Sequence, residues 1–483
     1  MSQPSKIAPA PERGIGYWMN RVLAELDKAG AGLAADPVHD LRVAIRRCRS
    51  LAEGFEQVDG DASWRRMRKA AKPLFSALGE LRDTQVLLEW MEKLQPACPA
   101  VAERLRAYCL EREAELKTNA TRASAEFDTR RWLQWAPLLE KRAQRLANRS
   151  QVFQVLALER LLEGRRLQSQ AWRRRSHAAL HQLRIGIKKF RYLVENFLPE
   201  FHQRWGKDLK ELQDLLGEVH DLDVLAATTR QIRACASRPE AQLWHAAIAR
   251  ERLPRLQAYR KKMLGRNSLW QRWRDELPTA GELREAVLQK FEAWSEAHGP
   301  DPAHARAVTA LSLQLYDALQ LFPASSPGRV SPRDLLHVAA LAHEVGRQDG
   351  SPKYQQRSRR MLQRLPPPPG WSEKDLALAG LVVRYHRGAL PAAQPPYAAL
   401  SAEERHVVDC LAGILRLADS LTGQEGGAVN RIEVSPQSGV IEIAVAGYHP
   451  RSRQAQRIAA ARHLLEDACS MAILLRPKPG QPS

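Results

Sequence analysis

A duplicated basic pattern with helical spacing is the feature that most constrains this chain. Residues 39–51 (HDLRVAIRRCRSL) match residues 181–193 (HQLRIGIKKFRYL) at an offset of 142 positions. A second match, residues 78–87 against residues 216–225, follows in the same order at an offset of 138. Two ordered matches with nearly equal offsets indicate a repeated structural unit rather than a chance similarity.

The spacing of apolar residues predicts helices nearly throughout. Up to about residue 275, apolar positions recur at intervals of three and four, and Gly and Pro are sparse. We therefore predict an all-α fold, with a duplicated helical bundle over residues 13–278 and a second helical domain over residues 279–476. The two repeats of the bundle should cover about 13–145 and 150–278.

Three segments depart from this helical pattern. Apolar residues alternate from 431 to 445, which predicts a small β-hairpin that turns near residues 437–439. The polar, Pro-rich residues 1–12 and the tail 477–483 are expected to be disordered.

The charge of the chain points to an acidic partner. The net charge is +20, and residues 1–290 carry +17 of it. Such an excess implies binding to nucleic acid, an anionic membrane or polyphosphate. The six cysteines form no C-x-x-C pair, and no apolar run approaches the ~18 residues of a membrane span. We therefore expect a cytoplasmic protein without a membrane partner.

The duplicated segments place rows of cations on one helix face, because residues three or four apart are neighbours there. We call these rows the first stripe (His39, Arg42, Arg46, Arg49) and the second stripe (His181, Arg184, Lys188, Arg191). The helix that follows in each repeat adds further cations: Arg66, Lys69, Lys72, Arg204, Lys207 and Lys210.

Stacked like charges destabilise a helix by a few tenths of a kcal/mol per pair. A stripe without interleaved Glu is therefore expected where an anion neutralises it, and Arg offers a planar fork to two phosphate oxygens. The alternative is an ordinary solvated basic face, which two matched copies disfavour. The nearby Asp83, Asp221 and Asp223 are expected to pair with cations rather than to perform acid–base chemistry.

The doubled H-x-L-R-[IV]-x-I-[RK]-[RK]-x-R pattern, followed by L-G-E-x-x-D-x-x-V-L, resembles the CHAD domain, the conserved-histidine α-helical domain. This resemblance implies two pseudo-symmetric helical bundles around a basic groove that binds inorganic polyphosphate. By position, the groove residues would be the eight members of the two stripes, with Lys69, Lys72, Lys207 and Lys210 as weaker candidates.

The C-terminal region resembles the HD-like half of exopolyphosphatase/guanosine pentaphosphate phosphohydrolases, on segments such as Leu-Ala-His-Glu-Val-Gly at residues 341–346. The actin-like half that carries the chemistry of that family has no counterpart here. Gln-Gln-Arg-Ser at residues 355–358 replaces the H-x-H-S segment of the family, so we expect a domain without catalysis or cofactor. The relatives of this region also raise the expectation of a homodimer.

Three functions follow in order of preference. The first is non-catalytic binding of inorganic polyphosphate, with attachment to polyphosphate granules. The second is a metal-dependent phosphohydrolase acting on polyphosphate or a phosphorylated nucleotide, with the metal ligands His304, His343, Glu344 and Asp419. The third is nucleic-acid binding, which the lack of recognition motifs and of aromatic residues within the stripes disfavours.

Overall fold

The computed structural model describes residues 14–478, apart from 31, 60, 147–149, 175, 279, 324–329, 348–352, 389–394, 423–431, 438 and 447. The chain divides into two compact units, Met1–Thr279 and Ala280–Ser483. Helices dominate the described residues of both units, which confirms the predicted all-α class. Among these residues, no helix is both long and apolar enough to cross a membrane.

The described helices of the first unit begin and end as follows: α1 Ile15–Ala29, α2 Ala35–Glu56, α3 Ala62–Ala70, α4 Lys72–Leu94, α5 Pro99–Ala125, α6 Thr129–Leu146, α7 Ser150–Arg174, α8 His177–Phe197, α9 Pro199–Gln231, α10 Arg238–Met263 and α11 Leu269–Glu276. Polar side chains cap several of them. The Asp61 carboxylate accepts a hydrogen bond from the Ser63 backbone amide at the start of α3. The Ser176 hydroxyl accepts one from the Ala179 backbone amide at the start of α8.

The two stripes lie on α2 and α8, which pack against each other in a parallel crossing. Residues later in α2 contact residues later in α8. Arg47 forms an ion pair with Glu195, and the ring of Phe55 lies 5.0 Å from the ring of Phe197, measured between centroids. Phe55 and Phe197 occupy equivalent positions at the offset of 142. At this point, equivalent residues of the two repeats are therefore in contact.

A glycine permits the close approach of α2 to α8. A Cβ atom on Gly54 would lie 2.3 Å from the Phe197 ring, so no larger residue fits without displacing the ring. Phe197 in turn stacks on Phe153 of α7 at 4.2 Å. The crossing point is thus fixed by tightly packed aromatic rings.

The second unit consists of eight described helices and a small sheet. The helices are α12 Ala280–His298, α13 Pro302–Leu319, α14 Pro332–Ala342, α15 Tyr354–Gln363, α16 Glu373–Tyr385, α17 Pro395–Ala398, α18 Ala402–Thr422 and α19 Arg453–Cys469. The strands are β1 Ile432–Gln437, β2 Val440–Val445 and β3 Ala472–Pro477, in the order β1-β2-β3.

The sheet contains the predicted hairpin and one unpredicted strand. β1 and β2 pair antiparallel, with Gln437 opposite Val440 at the turn. β3 pairs in parallel with β2, so that Pro477 lies opposite Val445 and the Lys478 amide donates to the Val445 carbonyl at 3.1 Å. Placing Pro477 in a disordered tail was therefore wrong. The predicted disordered residues 1–12 and 479–483 lie outside the described part of the chain.

Candidate anion-binding cleft and HD-like pocket

Burial of the apolar face of α2 sets the position of the first stripe. Leu41, Ile45 and Cys48 are fully buried in the core, so the neighbouring face of the helix runs along the edge of the packed interior. Arg42, Arg46 and Arg49 are therefore half-buried, whereas His39, at the start of the stripe, is exposed.

Two arginines of the first stripe lie over one aromatic ring. The guanidinium groups of Arg42 and Arg49 stand 5.2 and 5.1 Å from the centre of the Phe75 ring. Arg49 also donates through Nη1 to the Arg68 carbonyl at 2.7 Å. Arg42 Nη1 is buried without a hydrogen-bond partner among the described residues. Gly79 makes room for it, because a Cβ there would lie 2.6 Å from Nη1.

Tyr192 is where cations of the two repeats converge. Arg46 of the first stripe stands 5.6 Å from the centre of its ring, and Lys188 of the second stripe stands 5.9 Å from it. Arg47 lies 5.9 Å from the same ring and pairs with Glu195 at 2.5 Å. The structure thus brings the middle of both stripes to one buried side chain.

The crowding of cations changes their protonation. Burial, followed by the charges of Arg46, Arg184 and Arg42, lowers the pKa of Lys188 from 10.5 to about 7. Burial also lowers the pKa of Arg42, and the positive charge of Arg184, which belongs to the second repeat, lowers it further. Within the described part of the chain, Arg42, Arg46, Arg184 and Lys188 form no salt bridge. Their mutual repulsion is therefore not relieved by a carboxylate in direct contact.

The three aspartates near the stripes behave differently from one another. Asp223 pairs with Arg252 at 2.7 Å and with His177 at 2.8 Å, as predicted. Asp83 and Asp221 form no ion pair with the described residues. Burial, opposed by Arg184 and reinforced by Asp83, raises the pKa of Asp221 to about 6. Asp83 and Asp221, which are equivalent residues of the two repeats, therefore also approach each other.

Each stripe begins with a histidine in a cationic setting. His181 Nδ1 lies 3.3 Å from His220 Nδ1, and burial followed by the charge of Arg184 lowers the pKa of His220 to about 4. In the first repeat, burial and then the charge of Arg82 lower the pKa of His39. Arg82 occupies the position equivalent to His220, so both repeats place a second basic group beside the leading histidine.

An open cleft lies between the two stripes and holds about 920 Å³ of space, open solvent included. Its cationic lining residues are Arg46, Arg49, Arg68, Arg160, Lys188 and Lys189. The one carboxylate in the lining, Glu53, lies 3.4 Å from Lys189 and 3.7 Å from Arg160. Six cations facing one carboxylate make this cleft a strong attractor of anions.

The second unit contains a smaller cluster of imidazole and carboxylate groups. His304 lies in the first turn of α13, His343 directly follows α14, and Asp419 lies on α18. Asp419 Oδ1 is 3.2 Å from His304 Nε2 and 3.8 Å from His343 Nε2. One ligand atom from each of the three residues lies within 4.8 Å of the others.

His343 supplies an acceptor without a partner. Its Nδ1 lies 2.7 Å from the Ala340 carbonyl and so carries the proton, which leaves Nε2 as an acceptor. That Nε2 is buried and has no hydrogen-bond partner among the described residues. A divalent cation would satisfy it, so His304, His343 and Asp419 fit a three-ligand metal site.

Neighbouring arginines reduce the negative charge of this cluster. Arg387 Nη2 donates to Asp419 Oδ2 at 3.0 Å, and Arg347 pairs with Glu344 at 2.6 Å. Burial alone would raise the pKa of Asp419, but the His304 hydrogen bond and the nearby cations hold it far below its ordinary value. The same hydrogen bond raises the pKa of His304. Glu344, a predicted metal ligand, is thus paired with Arg347 rather than joined to the other three.

Comparison with known protein families gives one match in each of the two units. Residues 19–230 match the CHAD domain, and residues 284–445 match Ppx/GppA phosphatase, domain III. The chain thus contains a CHAD domain, followed by a Ppx/GppA domain III. No curated protein matches the chain.

The CHAD domain brings together some of the predicted residues and leaves others outside the cleft. Arg46, Arg49 and Lys188 line it, and Arg42 and Arg184 interact electrostatically with Lys188. Arg191, by contrast, lies 3.7 Å from Glu195, which neutralises part of its charge. The exposed outer candidates do not line the cleft; they are Lys69, Lys72, Lys207 and Lys210.

Several cleft residues of the CHAD domain were not predicted. Lys189 lies within the duplicated segment but off the spacing of the stripe, so a broader search of that segment could have found it. Tyr192 also lies within the duplicated segment, where its sequence context is that of an aromatic residue in the core. Arg160, on α7, belongs to neither duplicated pattern, and nothing in the sequence pointed to it.

Proposed function

We propose that the CHAD domain binds inorganic polyphosphate without cleaving it, through the cleft between α2 and α8. The observation that carries this proposal is the convergence of Arg46 and Lys188, from different repeats, on Tyr192. Both lack a salt bridge among the described residues, so a phosphate chain can supply the missing counter-charge. Guanidinium groups bind phosphate oxygens through charge-assisted hydrogen bonds.

A linear polyanion suits this site better than a single phosphate. The cations form a row along each of two parallel helices, and the cleft between them is open to solvent. Successive phosphates can therefore contact successive lining residues, such as Arg46 and Arg49 of the first stripe. We further propose that such binding attaches the protein to polyphosphate granules in the cytoplasm.

The test is calorimetric titration of the full chain with long-chain polyphosphate at moderate salt. A variant with Arg42→Gln, Arg46→Gln, Arg184→Gln and Lys188→Gln should bind at least about 100-fold more weakly, because the contacts of Arg46 and Lys188 and the neighbouring positive charges of Arg42 and Arg184 are lost. The matched control removes four exposed charges outside the cleft: Arg106→Gln, Arg130→Gln, Lys141→Gln and Arg145→Gln. If both variants lost affinity for polyphosphate equally, binding would depend on the net charge of the protein and not on the cleft.

Competition with DNA separates polyphosphate from nucleic acid as the partner. Both polymers are attracted by net charge, so both should bind at low salt. Cations already stand over the two aromatic rings of the described cleft lining, Phe75 and Tyr192, and would compete with a base for those rings. Polyphosphate should therefore displace DNA at equal phosphate concentration. Displacement in the opposite direction would favour a nucleic-acid binder.

A second candidate function concerns the Ppx/GppA domain III. The buried, partnerless Nε2 of His343 beside His304 and Asp419 favours a metal-dependent phosphohydrolase. These three residues would hold the ion, which would activate a water molecule. Metal analysis and a phosphate-release assay with Mg²⁺ or Mn²⁺ test this candidate. Bound metal and turnover that is lost in His343→Ala would support it, whereas phosphate release that His343→Ala leaves unchanged would exclude it.

A further inference from the structure

Two cysteines of the second unit lie side by side where α18 packs against α19. Cys410 is on α18, and Cys469 is the last residue of α19. Both carry free thiols, and their side chains are hydrogen-bonded to each other. They are far apart in the chain, so the packing of the helices brings them together. A disulfide bond between them would therefore join two separate helices.

The two helices run antiparallel and approach each other closely. Gln454, early in α19, donates to the Leu421 carbonyl, late in α18, at 3.0 Å. Leu465, late in α19, instead lies against Gly413 in the middle of α18. A Cβ atom on Gly413 would lie 2.8 Å from Leu465 Cα, so the two backbones nearly touch at this point.

The cysteines lie one helical turn beyond this close contact. Cys410 precedes Gly413 by three residues and Cys469 follows Leu465 by four, so each shares the inner face of its helix with the contact residue. A disulfide needs closely packed backbones, because it joins Cα atoms roughly 4.4–6.8 Å apart. The hydrogen-bonded thiols lie where the helices are packed in this way, so we expect the bond to form by rotation of the two side chains.

The two thiols lack the further ligands that a metal site would need. Structural zinc is held tetrahedrally by Cys and His side chains. Among the described residues, no additional His, Cys, Asp or Glu places a ligand atom within 4.8 Å of both sulfur atoms. The pair is therefore better suited to thiol–disulfide chemistry than to holding a metal ion.

The two thiols differ in exposure and in ease of ionisation. Cys410 is fully buried, whereas Cys469 is partly exposed at the end of α19. The hydrogen bond with Cys410 lowers the pKa of Cys469 against the opposing effect of burial, and the same hydrogen bond, together with burial, raises the pKa of Cys410. Cys469 is therefore the thiolate that a reagent from solvent can reach first.

We propose that Cys410 and Cys469 form a site of reversible thiol oxidation that takes a low-molecular-weight disulfide as its oxidant. The Cys469 thiolate attacks one sulfur of this reagent, which forms a mixed disulfide and releases a first small thiolate. Cys410 then attacks the Cys469 sulfur, which forms the Cys410–Cys469 bond and releases a second small thiolate. The two cysteines transfer two electrons to the reagent, and their two protons end on the two released thiols.

His406 is placed to assist the second attack. It lies one turn before Cys410 on α18, and its Nε2 and Nδ1 atoms are 3.7 and 3.8 Å from Cys410 Sγ. His406 is exposed, so its imidazole can take the proton of the buried thiol and pass it to solvent. His406→Gln should therefore slow the release of the second small thiol by about tenfold or more.

The test treats the folded full chain with oxidised glutathione and maps disulfides by peptide mass spectrometry without reduction. We expect Cys410 and Cys469 to be linked to each other with no glutathione attached, and dithiothreitol should restore both thiols. Cys410→Ser should instead retain glutathione on Cys469, because no second thiol remains to displace it. Cys469→Ser should leave the buried Cys410 unmodified. Cys235→Ser removes the other partly exposed cysteine and, as the matched control, should form the Cys410–Cys469 bond at an unchanged rate.

Several results would overturn this proposal. They are a folded protein in which Cys410 and Cys469 stay unlinked in oxidised glutathione, a link that forms only in denaturant, equal glutathione attachment to the remaining thiol of the two Ser variants, and stoichiometric zinc on the reduced protein that Cys410→Ser abolishes. The mapping of the unmodified protein needs no substitution, so the proposal remains falsifiable even if a Ser variant fails to fold.

Discussion

Lys188 should make polyphosphate binding depend on pH in a way that most basic sites do not. Its pKa is lowered to about 7 by burial and by Arg46, Arg184 and Arg42. A phosphate chain in the cleft would restore the charged form and bring the pKa back towards 10.5. Binding above neutral pH would then require uptake of one proton, so affinity should fall by up to ~10-fold per pH unit between about pH 7.5 and 9.5.

The matched variant is Lys188→Arg. The equivalent position of the first repeat is Arg46, so the cleft already accommodates a guanidinium group at one of the two positions. Arginine stays protonated throughout this range, so the affinity of the variant should be nearly independent of pH. The assay is titration with long-chain polyphosphate at several pH values and constant ionic strength. A flat profile for the unmodified protein, or the same slope in both proteins, would refute the reasoning.

The same lysine predicts an effect on stability in the absence of an anion. Because the pKa of Lys188 is lower in the folded chain than in the unfolded chain, the unfolded chain binds more protons between about pH 7 and 10.5. The free energy of unfolding should therefore rise with pH across this window, by at most ~5 kcal/mol if Lys188 is considered alone. Denaturant unfolding at several pH values measures it, and Lys188→Arg should lack this rise.

Two glycines of the CHAD domain provide further tests. Gly79→Ala should weaken polyphosphate binding about two- to tenfold, because the new Cβ would lie 2.6 Å from Arg42 Nη1, whereas Gly217→Ala, at the equivalent open position, should leave affinity unchanged. Both Ala variants should unfold with an unchanged free energy or with one raised by up to about 1 kcal/mol, because Ala favours a helix more than Gly does. Unchanged polyphosphate affinity in Gly79→Ala would contradict the placement of Arg42. Gly54→Ala should destabilise the domain by about 1–3 kcal/mol in denaturant unfolding, since its Cβ would lie 2.3 Å from the Phe197 ring; an unaltered unfolding midpoint would show that the ring can move freely.

Local and repetitive features of the fold were predictable from the sequence. The stripes and the apolar residues beside them have helical spacing, and α2 and α8 form where that spacing predicts them. The hairpin β1–β2 was predictable because its strands are adjacent in the chain. β3 was not, because its parallel pairing with β2 depends on a partner separated by the whole of α19.

The candidate sites were predictable in residue type more than in arrangement. The resemblance to the CHAD domain implied that cations of both repeats would line one groove, but not that Arg46 and Lys188 would converge on Tyr192 of the second repeat. Arg160 joins the cleft through tertiary packing of α7, which leaves no periodic signal in the sequence. The hydrogen bond from Arg387 to Asp419 was not predictable, because it depends on how α18 packs against the segment that follows α16.

The central claim is that the two repeats form one shared site for phosphate rather than two separate ones. It is tested most directly by the number of sites per chain, measured by calorimetry with a short polyphosphate of defined length. We expect one site, and about tenfold or greater weakening when either Arg42 and Arg46 or Arg184 and Lys188 are changed to Gln. Two sites per chain, with each pair of substitutions abolishing one and sparing the other at full affinity, would contradict the account.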